Sequence, residues 1–146
     1  EGQSKITWKV KSGAEHQSRR SIYTFVKRSL ALTIIESFDG ATTDSSCAVR
    51  FQTTQPTQAL SMLNSELINE AAGILANRLQ LEAGNDFGKQ IALAFKLVTG
   101  RQPNAKQLSA ASEFRHKMKL LKSDDKLIMQ QFCLIILNLN QFIYLD

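Results

Sequence analysis

The sequence predicts an all-α domain: a compact bundle of about six helices, with a nearly all-apolar C-terminal central helix and a short extended N-terminal arm. Three observations carry this. Apolar residues recur at three- and four-residue steps from Ser21 onward. Short punctuation separates the periodic stretches, at Asp39-Gly40, Asn64, Gly84, Gly100 and Ser123. The length, 146 residues with 43% hydrophobic, is enough for one buried core without disulfide staples.

The arm, residues 1–20, is polar and basic. Ile6, Trp8 and Val10 alternate with Thr7 and Lys9, which suits a short extended segment ended by Gly13. The first helix runs from Ser21, with Ile22, Phe25, Val26, Leu30 and Ile34 as its stripe, and stops at Asp39-Gly40, with Gly as the left-handed terminator. Residues 40–55 lack periodicity and read as a loop. Thr53-Thr54-Gln55-Pro56 then reads as a helix start, since Thr caps and Pro is tolerated in the first turn. Ala59, Leu60, Met62 and Leu63 form a short apolar helix. The next reaches about Ala83, with Leu67, Ile68, Ala71, Ile74, Leu75 and Leu79 expected inside. Asn85 or Asp86 caps a helix carrying Phe87, Ile91, Ala94, Phe95 and Val98. Asn104 with Gln107 makes a capping-box variant for a helix that turns Leu108, Ala111, Phe114, Met118 and Leu121 inward. Asp124 and Asp125 start the last helix, apolar on nearly all sides as far as Ile143 and therefore expected at the centre.

The formal net charge is +5, and it is local. Residues 1–30 hold seven cations, including Arg19, Arg20, Lys27 and Arg28, against Glu1 and Glu15. The rest of the chain holds eleven of each sign. No apolar run reaches the ~18 residues of a membrane span. Two cysteines, 86 residues apart, exclude a Cys₄ zinc site and a CxxCH haem attachment; they fit either free thiols or one disulfide. His16 and His116 have no acid or cysteine at metal-ligand spacing, and HExxH and phosphate-loop patterns are absent. No cofactor is expected in this chain, and no metal site. The basic, aromatic stretch Arg19–Arg28 reads as an amphipathic helix with solvated cations, so no nucleic acid is expected as a partner.

Polar residues inside apolar helices are more informative: Gln58, Asn64, Asn69, Asn138 and Asn140. A buried amide left unpaired costs about 1–3 kcal/mol, so these are expected to bind exposed backbone and pin the 40–55 loop. Arg50 reads as an anchor for helix-end carbonyls or Asp39. The candidate polar site, or contact surface, is Arg20, Tyr23, Arg28, Asp39, Arg50, Thr54, Gln58 and Asn64. No catalytic set is discernible.

Several stretches carry a family likeness: Arg19–Leu30, Phe38-Asp39, Thr43–Phe51, Thr53–Leu60, Met62–Ser65, Gly100–Pro103 and Leu137–Phe142. In this order they resemble the planctomycete cytochrome-associated PSD domain, a C-terminal domain of unknown function in large exported planctomycete proteins. The sequence departs from that pattern at Ala48, where Pro is usual, at Leu32-Thr33, where prolines are common, and at Val26, often aromatic. The resemblance implies a helical module, residues 21–146, behind the basic arm of residues 1–20. The start at Glu1 is read the same way, as a piece of a longer parent protein. It further implies an extracytoplasmic location and, as partners, upstream domains of the same polypeptide with a c-type haem module among them. It supplies no catalytic residues. Two alternatives stand beside an interdomain role: a small-ligand or enzymatic site around Arg50–Asn64 and the first helix, and binding of anionic polymers or membrane surfaces by residues 1–30.

Overall fold

A computed structural model describes residues 20–23, 33–41, 46, 49, 53 and 55–144. The extended arm, residues 24–32 of the first expected helix and most of the 40–55 loop lie outside the described residues. Among those described, every element is helical. A 3₁₀ turn, Ser21–Tyr23, is followed by seven α-helices: α1 (Thr33–Ser37), α2 (Pro56–Leu63), α3 (Glu66–Ala83), α4 (Phe87–Thr99), α5 (Ala105–Leu120), α6 (Asp125–Leu137) and α7 (Asn140–Ile143). The all-α class is as the sequence predicts. The chain divides into two units, Glu1–Gln52 and Thr53–Asp146.

In the first unit, α1 ends on a left-handed residue, as expected, but that residue is Asp39 (φ 55°) rather than Gly40. The Asp39 N–H donates to the Glu36 carbonyl at 3.2 Å and the Gly40 N–H to the Ile35 carbonyl at 2.8 Å. This is the paired closure of a helix C-terminus. Gly40 is needed for space instead, because a Cβ there would sit 2.6 Å from the Ile35 carbonyl oxygen.

The second unit is a bundle built around α6. That helix packs most extensively on α3 and also touches α4, α5 and α7. Ile128, Met129, Phe132, Cys133, Leu134, Ile136 and Leu137 are all buried on it, so the all-round apolar helix is indeed the central one. Phe132 meets Phe87, Phe95 and Phe114 in tilted ring contacts with centroids 6.3–6.5 Å apart. The central helix is shorter than its hydrophobic pattern. It ends at Leu137, because the Asn138 side chain donates back to the Leu134 carbonyl at 2.7 Å and the chain restarts as α7.

Most caps follow the sequence. Asp86 accepts from the Lys89 N–H, and Asp124 from the Leu127 N–H. Asn104 and Gln107 exchange both capping-box bonds. Gly84 and Gly100 end α3 and α4 with positive φ. For α2, Pro56 stands in the first turn as expected, but Gln55 is the cap residue rather than a threonine.

The buried faces differ in three places. On α3 the buried residues are Ala72, Ala76 and Leu79, with Ile68, Ala71 and Leu75 partly covered. Leu67 and Ile74, expected inside, are exposed. Small side chains admit α6 closely, so the helix turns its alanines inward, and at about 100° per residue Ile74 falls opposite Ala72. On α2, Leu60 and Leu63 are exposed while Gln58 and Met62 are buried. On α5, Leu108 and Leu121 are exposed, and Ala111 is the buried contact.

Cys133 is a free, buried thiol, and burial pushes its pKa up to about 12. It behaves as a small hydrophobe in the core.

If the alanine face sets the spacing of α3 and α6, Ala72→Leu overpacks that seam. The expected cost is about 1–3 kcal/mol, read as a lower urea midpoint at unchanged m. The same change at exposed Gln80 leaves the midpoint within about 0.5 kcal/mol.

Candidate functional site

Gln58 is the best-anchored of the expected site residues. It stands one turn into α2 and is 2% exposed. Its Nε2 donates to the Thr53 carbonyl at 2.9 Å. Its Oε1 accepts from the Gln55 N–H at 3.3 Å and from the Tyr144 hydroxyl at 2.5 Å. One side chain therefore ties three stretches together: the segment before α2, the start of α2 and the residue after α7. This is the role expected for a buried amide, binding exposed backbone. The Tyr144 partner lies 86 residues away, and no local pattern announces it.

The other expected residues occupy different positions. Asn64 caps the C-terminus of α2 through its backbone N–H and is exposed. Arg20 and Tyr23 are exposed at the 3₁₀ turn, and Asp39 is half-buried at the end of α1. Arg28, Arg50 and Thr54 lie outside the described residues. Among the related amides, Asn69 donates to the Leu63 and Ser65 carbonyls at 3.1 and 2.9 Å and locks the α2–α3 corner. Asn138 Oδ1 is a buried acceptor with no partner among the described residues. It borders a depression of about 260 Å³ also lined by Gln55, Pro56, Ala59 and Tyr144.

A second concavity, of about 320 Å³, lies where α3, α4, α5 and α6 meet. Ala76 and Met129 line it, with Asn77, Gln80, Asn85, Arg115 and Asp125 as polar neighbours. Arg115 lies 4.5 Å above the Phe87 ring and reaches Asp125 at 3.3 Å. Lys119 holds the other Asp125 oxygen at 2.8 Å. Asp125 thus offsets two cations of the basic face of α5. No local pattern announces the concavity, because each of these side chains is an ordinary polar residue on its own helix. Among the described residues no group of three His, Cys, Asp or Glu side chains is placed to hold a metal ion.

The hydrogen bond from Lys119 holds the Asp125 carboxyl below its ordinary 3.8, and Arg115 adds to this against partial desolvation. A carboxyl depressed by folding stabilises the fold above its unfolded pKa, and that contribution is lost as pH falls through the folded value. Asp125→Asn is therefore expected to flatten the acid limb of the stability–pH curve below about pH 4. The difference from the parent chain shrinks in high salt, since all three side chains are solvent-accessible. An identical acid limb in both chains contradicts the assignment.

A double-mutant cycle tests the Gln58 junction. Tyr144→Phe is expected to cost about 1 kcal/mol, and Gln58→Leu about 1–3 kcal/mol by removing the amide that bonds the Thr53 carbonyl and the Gln55 N–H. Tyr144→Phe then costs almost nothing further in the Gln58→Leu background, as denaturant melts would show.

No curated protein and no solved structure matches the chain. One family model does match, over residues 1–115, from the N-terminus into the second half of α5. That span includes Gln58 and the α2–α3 corner and stops short of α6 and Tyr144. With most of its length inside the match, the chain belongs to PSD1, a family of proteins of unknown function (DUF1553).

Proposed function

We propose that this chain is a non-catalytic helical module of a larger exported protein, and that it acts through contacts with the upstream domains of the same polypeptide. In this reading one of those domains is a c-type haem module, the module itself carries no cofactor, and the assembly works outside the cytoplasm. The resemblance to the planctomycete PSD domain suggests the setting. The observation that carries the contact role is the orientation of α2. This helix buries Gln58 and Met62 and turns Pro56, Ala59, Leu60 and Leu63 to solvent. Leu60 is 56% exposed and Leu63 40%.

An amphipathic helix ordinarily buries its leucines. Here the hydrogen bonds of Gln58 hold the helix the other way round. Clustered apolar surface of this kind is characteristic of binding faces. A small-ligand reading is favoured by one observation, the unpartnered buried Asn138 Oδ1 at the edge of the 260 Å³ depression. No helix of the described residues is long and apolar enough to cross a membrane.

Co-expression of this chain with the domains that precede it in its parent polypeptide tests the proposal. Co-purification is expected, weakened about tenfold or more by Leu60→Asp with Leu63→Asp, and unaffected by Leu97→Asp on α4. Circular dichroism establishes that the variants fold. Absence of association in the parent protein, or full association of the double variant, rejects the reading.

A further inference from the structure

We propose that two copies of this chain associate through α3, lying antiparallel about a two-fold axis beside Ile74. The observation is the solvent face of α3. Leu67, Ile74 and Leu81 are 49%, 70% and 87% exposed, and they recur every seven residues. At about 100° and 1.5 Å per residue they form one stripe about 21 Å long, opposite the buried Ala72 and Ala76. Leucine and isoleucine repeating at seven along an exposed helix face make one half of a coiled-coil seam.

The symmetry of the stripe identifies the occupant. In an antiparallel pair centred on Ile74, a residue a given number of positions before Ile74 meets the residue the same number after it on the other copy. Leu67 then meets Leu81, and Ile74 meets itself. Four positions away on either side stand Glu70 and Arg78, which are opposite in sign. Both flank the stripe by about 40° on the helix wheel, so they reach the same height on facing surfaces. The association thus closes two equivalent Glu70–Arg78 ion pairs across the axis.

Glu70 makes no ion pair or side-chain hydrogen bond with another described residue. Arg78 holds Glu82 of its own helix through Nε at 2.6 Å, which leaves the outer nitrogens of its fork for Glu70 of the second copy. Glu66 and Glu82, the like-charged pair eight positions from Ile74, lie about 80° from the stripe and do not face each other. A parallel pair would set Glu70 beside Glu70 and Arg78 beside Arg78. Charge selects the antiparallel arrangement.

Sedimentation equilibrium of the full 146-residue chain, taken up to about 1 mM, tests this. The expected result is a monomer–dimer equilibrium. Glu70→Arg and Arg78→Glu should each weaken it about tenfold or more, because each places like charges across the axis. The variant carrying both reversals should recover to within about threefold of the parent chain. Ile74→Asp should abolish it, with helicity retained as read by circular dichroism. A chain that stays monomeric throughout overturns the proposal, as does a dimer that ignores the single reversals or is not restored by the double one. A dimer lost on Leu60→Asp with Leu63→Asp also overturns it, by moving the contact to α2.

Discussion

The close approach of α3 to α6 is the constraint on which the second unit depends. Alanines at 72 and 76, fully or nearly buried, let the central helix come in near the α3 backbone. Gly73 extends that strip of small residues, and a Cβ there would rest 3.7 Å from the Gln130 side chain, in ordinary contact. Protein interiors pack at crystal-like density, so the spacing of one helix pair propagates to its neighbours. With α6 seated, Phe132 projects among the rings of Phe87, Phe95 and Phe114 and ties α4 and α5 to the same centre. Cys133 is sealed beside it with its thiol protonated.

The same constraint decides what reaches the surface. A helix that buries its alanines displays its larger apolar residues, and on α3 these are Leu67, Ile74 and Leu81. On α2 the agent is a hydrogen bond rather than packing. Gln58 satisfies both ends of its amide inside, on Thr53, Gln55 and Tyr144, which commits the opposite, leucine-bearing face to water. Leaving such an amide unpaired would cost more than exposing part of a leucine. Both surfaces are by-products of good internal packing, and both are available for contacts.

Electrostatics plays a local part. The excess of positive charge sits in residues 1–30, and the stretch that follows, residues 31–146, is neutral in sum. Within it, the acids of the α6 N-terminus take up the cations of α5, through Arg115 and Lys119 on Asp125. These pairs are solvent-accessible and fix the register of two helix ends more than they stabilise the fold.

The helical class, the central place of the last long helix and the ends of α2 to α5 with the start of α6 were legible in the chain's own residues. Those properties rest on short-range chemistry: periodicity of three to four residues, side-chain caps at Asp86, Asn104 and Asp124, and glycines where φ must be positive. The sequence also marked Gln58 as an amide in need of partners. Which face of α3 and of α2 turns inward was settled by packing, because helices carrying both alanines and leucines offer two apolar stripes and the neighbour selects between them. Packing likewise brought Tyr144 to Gln58 and assembled the concavity around Arg115 and Asp125 from four helices. Such contacts depend on residues far apart in the chain, and no local rule specifies their distance.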